Sequence, residues 1–236
     1  METIVNILEI IGIISFSAAG AMVAIDKEMD IFGVLLMSIV TCFGGGIFRD
    51  VLAGAAIGLD RPWFFSGSSD AAFSIITAVA TSVAVFFAAL VFKKSYVREE
   101  KIVRSINNVL DAIGIGVFSA IGTESYIVAG PFVAITMGML TSVAGGLTRD
   151  VILNDIPFVL RKYVYAIPTI IGSSAYYLIA VHLLPNVEYG KTVATFSCAL
   201  IIFVIRMLAT YFKWNMPKAI DFRSMREEVK NDFFDE

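Results

Sequence analysis

The chain lacks the residues from which most catalytic and metal sites are built. Its 236 residues include one histidine, His182, and two cysteines, Cys42 and Cys198, and all three lie in or at the end of apolar runs. A zinc site or a Ser-His triad therefore has almost nothing to be built from. The cysteines are interpreted as small buried hydrophobic residues. We expect no enzyme activity, no catalytic residue, no bound metal and no cofactor.

Charged side chains are also scarce. They make up 17% of the residues, against 58% that are hydrophobic, and the formal net charge is −3. Because a slightly acidic chain has no overall attraction for nucleic acid, nucleic-acid binding is not expected. So large an apolar fraction exceeds what a water-soluble domain can hide, and it indicates a lipid bilayer as the surrounding solvent. Met1–Thr3 lack the basic region of a signal peptide, so the first apolar run is expected to remain as a membrane helix.

Seven apolar runs are present, each close to the roughly 20 residues that a helix needs to cross a bilayer. They occupy residues 5–25, 31–58, 71–92, 106–123, 132–153, 163–184 and 192–212. Short connections with proline, charged residues and interfacial aromatics such as Trp63 and Tyr163 separate them. The predicted fold class is all-α, a polytopic membrane protein with one transmembrane domain over residues 1–212 and a cytoplasmic tail over residues 213–236.

The basic residues of the connections predict how the chain crosses the membrane. Five lie in the third connection, five in the tail, and three more, Lys27, Arg161 and Lys162, fall on the same side, which makes thirteen. Only Arg61 and Lys191 lie on the other side. Because basic loops stay in the cytoplasm, the N-terminus is predicted outside and the C-terminus inside, in a cell (plasma) membrane.

An internal repeat divides most of the chain. Ile11–Gly20 and Ile113–Gly122 are identical at seven of ten positions, and Gly45–Val51 is repeated as Gly145–Val151. The first three predicted helices, about residues 5–92, are therefore matched by the next three, about residues 106–184. Three crossings are an odd number, so the second copy has to enter the membrane from the opposite side. The sequence predicts an inverted repeat, with a seventh helix left over for capping or subunit contact.

Glycines interrupt the second helix of each repeat. Gly44, Gly45 and Gly46 are matched by Gly145 and Gly146. Each glycine costs about 0.8–1 kcal/mol relative to alanine inside a helix, so a structural use is expected. One interpretation is a kink that lines a pore, and the alternative is close packing of small residues between helices.

An Arg-Asp pair follows the glycines in each copy, as Arg49-Asp50 and Arg149-Asp150. A charge within the bilayer costs about 2.5–3.5 kcal/mol on insertion scales, so such residues normally face water, a partner or a substrate path. Adjacent helical positions do not face each other, and we expect the Arg and the Asp of each pair to have different partners. The inverted repeat predicts one pair at each mouth of a pathway. The alternative is a pair of structural anchors near the membrane surfaces.

Glu9 and Asp111 are equivalent carboxylates that are expected to open predicted helices 1 and 4. One interpretation is stabilisation by the positive end of a helix dipole. The alternative is a cation-attracting mouth on each side. Glu124 and Arg206 contribute to the mouths or extend toward the membrane surface, and the sequence leaves both uses open.

The doubled Gly-Gly-x-x-Arg-Asp-Val block within a layout of three, three and one helices resembles the trimeric intracellular cation (TRIC) channel family, most closely its prokaryotic members. The resemblance implies a homotrimer with an hourglass pore inside each protomer, lined by kinked helices 2 and 5 and permeable to potassium and sodium. The motif residues that carry over are Gly44, Gly45, Gly46, Arg49, Asp50, Gly145, Gly146, Arg149 and Asp150. Ala144 stands where the first copy has Gly44, so the two kinks are expected to differ.

The leading hypothesis is a monovalent cation channel, with K⁺ or Na⁺ as the transported ion. Asp50, Asp150 and backbone carbonyls would face the ion, while Arg49 and Arg149 would act as gates or tethers. The alternative is a secondary transporter for glycine or another small amino acid, because some relatives in this group are regarded as glycine transporters. Paired Arg and Asp would suit the carboxylate and the ammonium group of such a substrate. A third possibility is an assembly subunit without transport.

Overall fold

The computed structural model describes residues 2–57, 64, 68–161, 165–185, 187 and 189–214, and all regular secondary structure among these residues is helical. The α-helices are α1 (Glu2–Asp26), α2 (Ile31–Ile57), α3 (Ser69–Val91), α4 (Lys93–Arg98), α5 (Glu100–Ser125), α6 (Pro131–Ile152), α7 (Phe158–Arg161), α8 (Ala166–Tyr177) and α9 (Gly190–Tyr211). A π-helical segment, Leu178–Leu183, extends α8. Seven described helices are long and apolar enough to cross a membrane, which confirms the predicted all-α fold with seven spans.

Predicted helices 4 to 7 correspond to α5, α6, α8 and α9. Local signals fix several helix starts. The side chain of Asp30 accepts a hydrogen bond from the Gly33 amide (2.8 Å) at the start of α2, and Ser68 accepts one from the Ala71 amide (3.2 Å) at the start of α3. At the start of α6, Pro131 occupies the first turn after Gly130, whose φ of 94° suits glycine.

One predicted boundary is wrong, with a consequence for the candidate residues. Helix α5 begins at Glu100, six residues before the apolar run, because an Arg104–Glu100 ion pair (2.6 Å) supports a polar first turn outside the apolar segment. Asp111 therefore lies about three turns inside its helix, and Glu9 lies about two turns inside α1. Neither carboxylate opens a helix, so the helix-dipole interpretation is wrong. The predicted loop Arg61–Trp63, Tyr163 and the tail beyond residue 214 lie outside the described residues.

The helices form two triplets. Helices α1, α2 and α3 contact one another, as do α5, α6 and α8, and the triplets meet where α2 crosses α6 and α1 packs on α5. We call the end of the bundle at which α1 begins the first end, and the end at which α1 finishes the second end. Helix α5 begins at the second end, so the two triplets run in opposite directions. Helix α9 packs mainly on α5 and α8 of the second triplet.

Equivalent residues of the two triplets contact each other at the centre of the bundle. The rings of Phe16 and Phe118 stack with their centroids 5.2 Å apart, and Gly45 lies against Gly145. Such contacts are expected when an internal two-fold axis passes between two copies of one unit. The axis therefore runs through the α1–α5 and α2–α6 contacts, in the apolar middle of the bundle.

Candidate functional site

Helices α2 and α6 cross in close backbone contact at the centre of the bundle. A Cβ atom added to Gly45 would overlap the carbonyl oxygen of Thr141, and one added to Gly145 would overlap the carbonyl oxygen of Thr41. Both helices continue as α-helix through their glycines. These two glycines therefore serve close helix packing, which was the alternative interpretation. A bend of either helix at this point stays a prediction.

The neighbouring glycines face more open space. A Cβ added to Gly46 would meet nothing within 4 Å, and Gly46 lines a cavity. A Cβ on Gly146 would lie 3.4 Å from the Tyr165 hydroxyl and 3.8 Å from Nη2 of Arg149. A Cβ atom added to Gly44 would lie 3.4 Å from the Cα atom of Gly145, which is an ordinary van der Waals contact. Gly44, Gly45 and Gly145 thus lie at the contact between α2 and α6. Gly46 faces the cavity, and Gly146 lies near the polar groups of Tyr165 and Arg149.

A cavity of about 780 Å³ opens at the first end between the two triplets and reaches inward to the glycine crossing. Its described lining includes apolar side chains from α1, α2, α3 and α5. The polar lining residues and the glycine are Asn6, Glu9, Gly46, Arg49, Asp50, Asp70, Ser74, Ser125, Tyr126 and Thr141. We call this space the first-end cavity. It brings together predicted site residues from three groups: Gly46 of the first glycine block, the first Arg-Asp pair and Glu9.

Arg49 and Asp50 bind each other in the first-end cavity. Nε and Nη2 of Arg49 lie 2.8 Å and 2.7 Å from Oδ1 of Asp50. The expectation that adjacent residues have different partners is wrong, because the long arginine side chain folds back along the helix to reach its short neighbour. Arg49 also donates a long hydrogen bond to Ser125 (3.4 Å) and lies 5.9 Å from the ring centroid of Tyr126. Burial raises the pKa of the Tyr126 hydroxyl, which keeps this group neutral.

Arg149 and Asp150 repeat this geometry in a buried position. Nε and Nη2 of Arg149 donate to Oδ1 of Asp150 at 2.9 Å and 2.7 Å, and each residue is 3% exposed. The other carboxylate oxygen accepts a hydrogen bond from the Phe158 amide at 3.0 Å. The second pair therefore ties α6 to α7.

A second ion pair lies close to Arg149 and was not predicted. Nη2 of Arg206 on α9 donates to Oδ2 of Asp111 at 3.0 Å, and the Tyr165 hydroxyl donates to both oxygens of the same carboxylate at 3.0 and 3.3 Å. The guanidinium of Arg206 stacks on the Tyr165 ring, 4.1 Å from its centroid. We call Asp111, Arg149, Asp150, Tyr165 and Arg206 the second-end cluster. The one signal in the sequence was a lone arginine within an apolar run.

The two ends of the bundle thus differ, although their residues are repeated. Glu9, Arg49 and Asp50 line the first-end cavity, whereas their equivalents Asp111, Arg149 and Asp150 are absent from its described lining. Exposure alone does not separate the two sets, because Asp50 and Asp111 are each 8% exposed. Among the residues that the structure describes, no group of three or more His, Cys, Asp and Glu side chains has an arrangement that would hold a metal ion. The arrangement can attract and guide a small ion or polar molecule at the first end.

Comparison with known proteins identifies a family, sequence relatives and solved structures to which this chain is similar. A family model described as "Glycine transporter" matches residues 6–89 and 108–181, one segment for each triplet. The UPF0126 inner membrane protein YadS of Escherichia coli (strain K12) is 34% identical over 182 residues, which cover 75% of this chain and 81% of that protein. The structure of a prokaryotic TRIC channel in 0.5 M KCl superposes with a TM-score of 0.75 at 27% identity, covering 92% of this chain and 100% of that one. A TRIC cation channel studied for its conductance gives a TM-score of 0.72 at 30% identity, covering 92% and 97%.

Proposed function

The chain belongs to the glycine transporter family, with the UPF0126 membrane proteins as relatives and the fold of prokaryotic TRIC channels, and from this premise we propose that it conducts monovalent cations. The chain is a multi-pass membrane protein, and the solved structures that it resembles are cation channels. The proposed ions are K⁺ and Na⁺, and the proposed pathway runs inside each protomer between α2 and α6. A homotrimer in the plasma membrane is the proposed assembly.

The acidic first-end cavity is the observation that carries this proposal. Its described lining contains three carboxyl groups, from Glu9, Asp50 and Asp70, against a single guanidinium from Arg49. An excess of carboxylates in a cleft with apolar walls raises the local concentration of cations. Because Arg49 is held by Asp50, its charge is partly neutralised where it faces the cavity.

The rest of the pathway follows from the repeat. We assign Glu9 to the first mouth and Asp111 to the second, with Asp50, Asp150 and helix carbonyls along the path. Arg49 and Arg149 act as tethers or gates on either side of the glycine crossing. At this crossing α2 and α6 touch through their backbones, so conduction requires these helices to separate or to bend at their glycines.

A second candidate is a carrier for glycine or another small amino acid. The family description favours it, and a cavity of about 780 Å³ falls in the range of about 300–1,000 Å³ typical of small-molecule sites. Arg49 would receive the substrate carboxylate, and Glu9 or Asp70 would receive its ammonium group. In this candidate the glycine crossing closes behind the substrate and does not admit a continuous file of ions.

Recording from the purified protein in planar bilayers, combined with glycine counterflow in vesicles, separates the two candidates. A channel is expected to give discrete K⁺ currents of picoampere size and no counterflow. An absence of current in the bilayer, together with saturable glycine counterflow, would contradict the channel proposal and support the carrier.

The variant Gly46→Phe tests whether the ions pass through the first-end cavity. Its ring would enter the first-end cavity from a position where an added Cβ meets nothing within 4 Å, so the helix contact at Gly45 is left intact. We expect this variant to fold and to lose its current. Currents of wild-type size through Gly46→Phe would show that the ions take another route.

A further inference from the structure

Helix α9 supplies a charge that the internal repeat does not contain. Arg206 is 5% exposed, and its guanidinium is held between the Asp111 carboxylate of α5 and the Tyr165 ring at the start of α8. A single side chain from outside the duplication therefore joins two helices of the second triplet. The contact lies at the position that the repeat assigns to the second mouth.

The equivalent position in the first triplet is open. Glu9, the counterpart of Asp111, faces the first-end cavity together with Asp70, and among the described residues it forms no ion pair. Helix α9 packs mainly on α5 and α8 and only slightly on α1, so among the described helices the first triplet has no counterpart of α9. The two mouths thus have matching carboxylates, of which one faces open space and the other is covered by a tethered cation.

We propose that Arg206 is a latch that closes the second mouth of the pathway, and that conduction requires its guanidinium to leave Asp111. This inference rests on the proposed channel function and identifies how the same pathway is regulated. The closed second-end cluster contains two guanidinium groups and two carboxylates, so it is balanced in charge. Withdrawal of Arg206 leaves two carboxylates against one guanidinium, and the second mouth then has an acidic excess like that of the first.

Two features of Arg206 suit a contact that has to be broken. Its Nε atom is buried and has no hydrogen-bond partner among the described residues, so the guanidinium is incompletely satisfied in the closed state. Arg206 also lies only five residues before the end of α9, near the second end of the bundle. A small displacement of this last turn would take the guanidinium away from Asp111 without disturbing the glycine crossing.

Single-channel recording of Arg206→Ala tests the latch. We expect the open probability to rise at least several-fold above that of the wild type. Guanidinium chloride at millimolar concentration, added to the second-end side, is expected to bind at the vacated Asp111 and restore closure. Asp111→Asn should raise the open probability equally but should not respond to guanidinium. Arg206→Lys keeps the charge but loses the planar contact with Tyr165, and an intermediate open probability is expected.

Arg104→Ala is the matched control, because Arg104 lies at the same end on α5 in an exposed pair with Glu100. It should change neither the open probability nor the response to guanidinium. The latch would be overturned if Arg206→Ala had the wild-type open probability and did not respond to guanidinium. A lowered melting temperature in the same variant would then show that Arg206 has only a structural role.

A thiol-accessibility measurement keeps the latch testable if no variant conducts ions, an outcome that would sink the channel proposal separately. Gly146→Cys places a thiol beneath Tyr165 and Arg149, in a background where Cys42 and Cys198 are replaced by alanine. A membrane-impermeant maleimide is expected to label this thiol from the second-end side at least several-fold faster when Arg206→Ala is added. Equal labelling rates with and without Arg206 would exclude a closing role.

Discussion

The two Arg-Asp pairs have the same internal geometry but different surroundings. The Nη2–Oδ1 distance is 2.7 Å in both pairs. Arg49 and Asp50 line the first-end cavity, although Asp50 is only 8% exposed, whereas Arg149 and Asp150 are each 3% exposed and absent from the described lining of that cavity. Pairing within one helix lets a guanidinium and a carboxylate compensate each other wherever the helix places them, which lowers the cost of removing both from water. The surroundings of each pair, and not its internal contact, therefore determine the role of the pair.

Arg149→Ala is expected to destabilise the protein much more than Arg49→Ala. Loss of Arg149 leaves the Asp150 carboxylate buried without its charge partner, a change that typically costs about 3–5 kcal/mol. Asp50 can instead be hydrated from the first-end cavity. Thermal unfolding in detergent measures the difference, with Arg98→Ala, which breaks an exposed pair, as a control expected within about 1 kcal/mol of wild type. Equal melting temperatures for Arg49→Ala and Arg149→Ala would contradict the assigned difference in hydration.

Glu9→Gln and Asp70→Asn are expected to lower K⁺ conductance at low ionic strength by about two-fold each. A unit charge about 10 Å from an ion in water contributes about 0.4 kcal/mol, which corresponds to that factor. In 1 M salt, where the screening length is about 3 Å, the effect should vanish. Glu124→Gln is the control, because Glu124 lies at the same end but binds Lys191 and Tyr176 outside the described lining of the cavity. An effect that persists in high salt would argue against electrostatic attraction as the cause.

At the scale of helices, the glycine crossing sets how closely the two triplets approach. Gly45→Ala and Gly145→Ala should each force α2 and α6 apart, because the added methyl group would meet a backbone carbonyl that cannot move aside alone. Overpacking of this kind costs about 1–3 kcal/mol. Gly46→Ala is the matched control and is expected to be neutral or slightly stabilising, since its methyl group enters open space and alanine favours the helix. Melting temperatures in the reverse order would mean that the crossing does not limit the packing.

The number and type of elements could be predicted from the sequence, because runs of about 20 apolar residues determine membrane helices almost independently of their neighbours. The start of α5 could not be, since an apolar run marks the segment within lipid and not the polar turns that continue the helix beyond it. For the same reason Asp111 was expected at a helix start and lies about three turns inside α5.

The candidate site was predictable only in part. Repetition identified the glycines, the Arg-Asp pairs and the two equivalent carboxylates. The contact between Asp111 and Arg206 joins residues 95 positions apart, and no periodicity within one sequence specifies such a pairing. The internal contact of Arg49 with Asp50 was missed because the rule for helix neighbours describes where side chains start and not how far an arginine can reach.

At the scale of the whole molecule, orientation decides which mouth faces the cytoplasm. The excess of basic residues at the second end predicts that this end is cytoplasmic. Val128→Cys lies in the connection before α6 at the first end and Val97→Cys lies in α4 at the second, and both positions are largely exposed. A membrane-impermeant maleimide added to intact cells should label only Val128→Cys. Labelling of Val97→Cys alone would reverse the orientation and place the Arg206 latch outside.

The placement of the pathway inside each protomer has a consequence for mixed assemblies. If three protomers assemble but each conducts separately, an equal mixture of wild-type and Gly46→Phe chains should retain about half of the wild-type current. A central pore that needs three intact protomers would retain only about one eighth, because all three chains must be wild type. Macroscopic K⁺ flux into vesicles is measured at several mixing ratios, with total protein per vesicle held constant. Separate pores predict a flux that rises linearly with the fraction of wild-type chains, and a shared central pore predicts a flux that rises with its cube. The straight line is expected, since the first-end cavity is lined by helices of a single chain.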